Sequence, residues 1–418
     1  MAKGKKKFVF VVLDGAADRP CKDLQNKTPF QISFKPNLDW FTENGKCGVH
    51  YPIKKGIAPE SDSAVMALLG YDPEQYFTGR GPLEAMGAGI PLKRGDLALR
   101  ANFTTVKKGK LLDRRVGRTL TTAEAEVLSK TLNKKVKLGF PFIFKHTIEH
   151  RGVLVVRGGF SANITNVDPA YKRHGKYAVA VKEYGKINLS KPMDDDEVTQ
   201  LSANLVNNFT EQSHKLLSKH SLNLSRIRNG LLPANIIVTR NAGVELPDLP
   251  KRREKWIAPL SMPLEIALAN LAGMNVKKFA YPEMISPNPY KNIYYALKNY
   301  LQFTKKVMTK EWNNCECFYI HVKETDVPGH DGQGLHKKKM IEMIDEMLFG
   351  FLRKKNVTLC VTSDHTTPSS LKAHSADPVP FMIYGADKDG IKTFDEKNCA
   401  KGKFKTIFAK DLLKLALD

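Results

Sequence analysis

The run FVFVVL (residues 8–13) is continuously apolar and rich in β-branched positions, the pattern of a strand covered on both faces. The same pattern recurs in CFYIHV (317–322), VTLCVTSD (357–364) and PVPFMIYG (378–385). Between such runs the period changes. SDSAVMALLGY (61–71) reads as a helix with a polar start, and HKKKMIEMIDEMLFGFLRKK (336–355) spaces its apolar residues at helical intervals. Strands alternating with helices predict an α/β fold with a mainly parallel sheet sandwiched by helices.

The middle of the chain has a different texture. GDLALRANFTTV, GKLLDRR, FPFIFKHTIEHRGVLVVRG and PANIIVTRNAG are shorter β runs that carry many arginines. DDDEVTQLSANLVNNFTEQSHKLLSKH (194–220) predicts an amphipathic helix whose acidic first turn suits the helix dipole. A basic loop, PDLPKRREKW (247–256), closes this block. The expected organisation is one domain split in sequence, 1–90 and 255–418, with a smaller α+β domain, 91–254, inserted into it.

Length and composition fit that picture: 418 residues, 42% hydrophobic and 26% charged, are ordinary for a globular chain with a large core. No apolar run approaches the roughly 20 residues of a membrane span. The basic start MAKGKKK followed by FVFVVL resembles a signal peptide. Its apolar part is shorter than the roughly 7–15 residues of an h-region, however, and Asp14 stands where a cleavage site would be. The six cysteines form no CxxC pair and are expected as reduced thiols in a cytoplasmic protein. The formal net charge of +23 raises nucleic acid as a partner. Yet the lysines are scattered, in VKKGK, NKKVK, HKKK and RKK among others, and no nucleic-acid-binding motif accompanies them. They are read as solvated surface, able to steer a small anionic substrate.

Three strand-like runs end in acidic residues. FVFVVLD ends at Asp14, CFYIHVKETD at Asp326, and VTLCVTSDH at Asp364 and His365. In a parallel sheet these ends share one edge, where open α/β proteins place their sites. His330 follows Asp326 through the turn VPG, and His374 lies in the loop HTTPSSLKAHSADPVP. An Asp at a strand end is also an ordinary turn residue, and a lone loop His is ordinarily unliganded. Recurrence at three strand ends favours metal binding. Three carboxylates and three imidazoles exceed one tetrahedral ion and suit two. Mixed oxygen and nitrogen donors favour Mn²⁺ or Zn²⁺. Ser61, at the start of a predicted helix in PESDSAVMALLGYDP, is a candidate nucleophile where the helix dipole attracts an anion. An N-cap role for Ser61 or Asp62 is the alternative, and Ser63 is a rival nucleophile.

LDGAADRP, KTPFQISFKPNLDWFTENGKCG, GIAPESDSAVMALLGYDPEQYFTGRGPLEAMGAGI, LLDRRVGRT, ETDVPGHDG and TSDHTTP…AHSADPVP together resemble the archaeal-type cofactor-independent phosphoglycerate mutases of the alkaline phosphatase superfamily. The resemblance runs in order over nearly the whole chain. It implies an alkaline-phosphatase-like fold with an inserted domain. It implies one divalent ion held by Asp326, His330 and His374, and a second held by Asp14, Asp364, His365 and the Ser61 oxygen. Mn²⁺ is the first expectation, with Zn²⁺, Co²⁺ or Mg²⁺ as alternatives. Ser61 would be the phosphorylated nucleophile that interconverts 3-phosphoglycerate and 2-phosphoglycerate without bisphosphoglycerate. The Lys-rich stretch around 171–186 departs from the resemblance.

Such a substrate carries about three negative charges near neutral pH. Glycerate must stay bound while it reorients, and a closing inserted domain would hold it and exclude water. Arg114, Arg118, Arg151, Arg240 and Lys323 are the expected substrate residues, and Asp113 and His150 the expected general acid and base. The competing readings are a phosphatase or phosphonate hydrolase of the same superfamily, and a basic nucleic-acid-binding protein on this scaffold. Oligomeric state is not legible.

Overall fold

The first strand, Lys7–Leu13, sorts its side chains onto two faces. Phe8, Phe10 and Val12 enter one apolar core together with Val65, Leu68, Leu264 and Leu412. Val9, Val11 and Leu13 enter another with Leu297, Ile320, Met340 and Ile344. A strand with a core on each face must be apolar at every position, which is why its sequence does not alternate. These features come from a computed structural model that describes residues 6–174, 177–181, 185–385 and 387–418. Residues 1–5 of the basic tail and parts of the stretch 171–186 lie outside the described residues.

The two cores flank an eight-stranded sheet. Its order is Asn275–Lys278, Trp256–Leu260, Cys317–Val322, Lys7–Leu13, Val357–Thr362, Val379–Tyr384, Gly45–Tyr51 and Lys405–Phe408. All neighbours are parallel except the two pairings made by Val379–Tyr384, which runs against the rest. The mixed α/β, mainly parallel class expected above is therefore observed. Cys317–Val322 and Val357–Thr362 pair with Lys7–Leu13 on either side, in register through Leu13↔Val322 and Val12↔Thr362. Asp14, Asp326 and Asp364 consequently leave the sheet at the same edge.

A second sheet, of five strands, is wholly antiparallel. The long strand Leu97–Lys107 pairs with Ile236–Gly243, Arg151–Val156 and Lys110–Asp113, and Phe142–His146 extends the sheet beyond Arg151–Val156. The helices Thr122–Lys135 and Glu197–Ser218 cover it, contributing Leu128, Leu132, Val206 and Phe209 to a separate core with Phe103, Phe144 and Leu154. Among the described residues no helix is long and apolar enough to cross a membrane.

Two local readings change. VPG is not a simple turn: Asp326–Asp331 is a short helix that stops at the left-handed Gly332. Asp326 and His330 therefore stand one turn apart on one face. The scattered lysines are not all solvated, because Lys35 and Lys337 are fully buried. Helical phase turns Lys337 into the interior, Lys35 is buried at the N-cap of Pro36–Glu43, and composition carries neither signal.

Candidate functional site

Asp14, Asp364 and His365 are fully buried at the shared edge. His365 Nε2 lies 3.2 Å from Asp364 Oδ2 and 3.7 Å from Asp14 Oδ1. A few ångströms away, His330 Nε2 is 3.2 Å from Asp326 Oδ2, and His374 Nε2 is 3.7 Å from Asp326 Oδ1. The His365 and His374 rings stack with centroids 3.7 Å apart, so the two clusters adjoin. Donor atoms of Asp14, Asp364 and His365, and likewise of Asp326, His365 and His374, fall within 4.8 Å of one another.

These donors fit divalent cations on physical grounds. The Pro59 carbonyl lies 2.7 Å from His374 Nδ1, and the Lys372 carbonyl 3.2 Å from His330 Nδ1. A carbonyl only accepts, so each Nδ1 carries the proton and each Nε2 carries a lone pair. Those two Nε2 atoms face each other at 3.1 Å. Lone pairs so opposed call for a cation between them. Burial outweighs the pull of the nearby carboxylates and pushes His365 and His374 down to about 4, which keeps them neutral and ligand-ready. Asp14 Oδ1 and Asp364 Oδ2 are buried without a hydrogen-bond partner among the described residues. Burial and the Asp14 carboxylate push Asp364 up to about 8. Burial opposes the Asp14 charge, but Lys323 and His321 outweigh it and hold that carboxyl well below the usual range. A divalent ion would relieve both groups.

Ser61 occupies the first turn of the buried helix Ser61–Leu68, whose N-cap is Glu60. Its Oγ lies 3.2 Å from His365 Nε2. Ser63 Oγ instead donates to the Glu60 carbonyl at 3.3 Å, and Ser63 does not line the cleft beside the donors.

That cleft, between the two sheets, is lined by Ser61, Asp326, His330 and His374 on one wall and by arginines on the other. Arg114, Arg118, Arg151, Arg240, Lys323 and His150 all reach it. Arg114 pairs with Asp168 at 2.9 Å, Arg151 with Glu149 at 3.1 Å, and Arg240 with Glu60. Lys323 bridges Asp14 and Glu265. Arg115 and Arg118 each reach across the cleft to Asp331 at 3.4 Å. Burial and the neighbouring guanidiniums push Arg100 down to about 9 and Arg115 to about 10, a crowding that favours a bound anion. His150 is held neutral by burial and by Arg151, Arg118, Arg115 and Arg100. Its Nδ1 has no hydrogen-bond partner among the described residues.

Asp113 is placed differently. Its Oδ1 accepts from the amides of Arg115 at 2.7 Å and Gly117 at 3.0 Å, and it does not line the cleft. It shapes a loop in which Val116, Gly117 and Arg118 all have φ between 52° and 60°. Such a conformation is costly for a β-branched residue and serves to aim the arginines. Sequence reasoning passed over Glu60, Arg100, Asp168, Tyr171 and Glu324. Only Arg100 left a signal, as a lone charge within the apolar strand Leu97–Lys107. Tyr171 comes from the stretch that departs from the resemblance, and Arg240 lies 3.5 Å above its ring.

The family described as 2,3-bisphosphoglycerate-independent phosphoglycerate mutase matches residues 42–223. The protein of that name from Aeropyrum pernix is 39% identical over 422 residues, covering 96% of each chain. The one from Methanosphaera stadtmanae is 36% identical, covering 99% of this chain and 97% of its own. Among solved structures, the cofactor-independent phosphoglycerate mutase from Thermoplasma acidophilum is 29% identical, with a TM-score of 0.56 and 99% of both chains covered. The PH0037 protein from Pyrococcus horikoshii is 26% identical, with a TM-score of 0.73 and 99% of this chain and 97% of that one covered.

Proposed function

Because the chain belongs to the family of 2,3-bisphosphoglycerate-independent phosphoglycerate mutases, we propose that this cleft moves a phosphoryl group between the 3- and 2-hydroxyls of phosphoglycerate through Ser61. The enzyme is an isomerase, an intramolecular phosphotransferase. Two divalent cations, Mn²⁺ first among the candidates, would be held by Asp326, His330 and His374 and by Asp14, Asp364, His365 and Ser61 Oγ, and would supply charge to neutralise phosphoryl oxygens and lower the pKa of Ser61.

The chain's own groups do the rest. Ser61 Oγ attacks phosphorus in line, the bond from phosphorus to the glycerate oxygen breaks, and phosphoserine forms. Arg114, Arg118, Arg151 and Arg240 hold the glycerate carboxylate while it turns, and Lys323 guards the phosphoryl end. The second hydroxyl then attacks phosphoserine and restores Ser61. His150, neutral at the start, takes the proton that Ser61 Oγ releases and passes it to the departing alkoxide; in the second transfer it takes the proton of the attacking hydroxyl and returns it to Ser61 Oγ. Asp113 acts through the arginine loop it shapes. The unit 91–254 closes the cleft against water, helped by the reach of Arg115 and Arg118 to Asp331.

The observation that carries this reading is Ser61 Oγ beside the donor cluster and facing the arginine wall. The test is formation of 2-phosphoglycerate from 3-phosphoglycerate, coupled to enolase, without added bisphosphoglycerate. Both Ser61→Ala and chelation are expected to abolish turnover, and added Mn²⁺ to restore it after chelation. Turnover retained by Ser61→Ala would move the nucleophile elsewhere. Free phosphate as the main product would make the protein a hydrolase.

A further inference from the structure

Lys337 stands in the lysine run of the helix Gly334–Ile344, yet its side chain is wholly buried, on the face it shares with Met340, Ile341 and Ile344. A buried ammonium must use its three donors. Lys337 Nζ donates to the Gly15 carbonyl at 2.9 Å and the Thr367 carbonyl at 2.7 Å, and pairs with Asp18 Oδ2 at 2.8 Å.

The two carbonyl partners lead to the donor cluster. Gly15 follows Asp14, and its amide donates to Asp364 Oδ1 at 3.0 Å. Thr367 Oγ1 donates to Asp326 Oδ1 at 2.8 Å and lies 3.0 Å from His365 Nδ1. Gly329, between Asp326 and His330, lies so close that a Cβ there would come 2.4 Å from the Thr367 carbonyl and 2.9 Å from Lys337 Nζ. Asp18 is itself fixed by the Ser369 amide at 2.9 Å and the Ser369 hydroxyl at 2.7 Å. It cancels the charge that Lys337 would otherwise set beside bound cations.

We propose that Lys337 is a positioning residue that ties the three donor-bearing segments together and so sets the spacing of the two cation sites. The proposal rests on the cation-site reading above. The helix is anchored in the core through Met340, Ile341 and Ile344, so its ammonium offers the loops a reference point.

The test is calorimetric titration of chelator-stripped protein with Mn²⁺, together with thermal unfolding. Lys337→Met is expected to weaken Mn²⁺ binding by about 10- to 100-fold, the usual effect of losing an outer support of a metal site. It also strands Asp18, so it is expected to lower the Tm and could prevent folding. The double variant Asp18→Asn/Lys337→Met removes both charges. It is expected to recover most of the Tm and keep the affinity deficit, because the Gly15 and Thr367 carbonyls still lack their donor. A purely structural lysine would recover both. Wild-type Mn²⁺ affinity in the folded double variant would overturn the proposal. Absence of Mn²⁺ binding by the wild-type protein would overturn the cation-site reading and the proposal with it.

Discussion

Replacing Glu60 by Gln probes the joint between nucleophile and arginine wall. Glu60 caps the helix that begins at Ser61 and is 4% exposed. Its Oε1 accepts from Arg240, and its Oε2 accepts from Arg80 at 3.2 Å and from Asn241 at 3.4 Å. Burial alone would raise its pKa, but Arg240, Arg80 and Arg100 outweigh it and bring the carboxyl down to about 2 from 4.5. At roughly 1.4 kcal/mol per unit, that difference corresponds to about 3 kcal/mol of stability near pH 7. Breaking a buried ion pair from one side costs a similar amount, about 3–5 kcal/mol. Glu60→Gln is therefore expected to lose about 3 kcal/mol in urea unfolding at pH 7. The carboxylate's contribution is complete above about pH 4.5 and is lost as pH falls toward 2, so the deficit should shrink in acid. A loss below about 1 kcal/mol at pH 7, or a deficit that grows on acidification, would refute the reasoning. Released from Glu60, Arg240 should also hold substrate less well, read as a lower kcat/KM for 3-phosphoglycerate.

Gly15 has φ +54°, and a Cβ there would lie 2.4 Å from Asp326 Oδ1 and 2.5 Å from Thr367 Oγ1. Gly15→Ala should therefore weaken Mn²⁺ binding more than 10-fold by titration calorimetry and cost about 1–3 kcal/mol of stability; affinity within two-fold of wild type would count against the crowding. Glu396 accepts from the Thr28 hydroxyl at 2.6 Å and the Asp18 amide at 3.0 Å, and burial pushes its carboxyl up to about 7. The folded chain then binds this proton more tightly than the unfolded chain, so stability should fall as pH rises from about 4.5 to 7. Glu396→Gln should flatten that part of the Tm profile and raise Tm at pH 8; an unchanged profile would contradict the shift.

The sequence by itself determined the sheet and its rim. An uninterrupted apolar run demands cover on both faces, and parallel strands end on one edge however far apart they lie in the chain. Asp14, Asp326 and Asp364 were readable as neighbours for that reason, with His330 four residues after Asp326 and His374 in the loop that follows Asp364. Tertiary structure alone decided how each charge is used. Three adjacent lysines look alike in sequence, and only packing turns Lys337 inward while Lys339 faces solvent. Asp113 and Asp168 are both aspartates of the arginine-rich middle of the chain, yet one accepts from backbone amides and the other pairs with Arg114. The antiparallel course of Val379–Tyr384 was equally hidden, because direction depends on where a connecting loop returns the chain. Periodicity reports which face is dry. The partner of a buried charge is chosen by long-range contacts, and those exist only once the chain has folded.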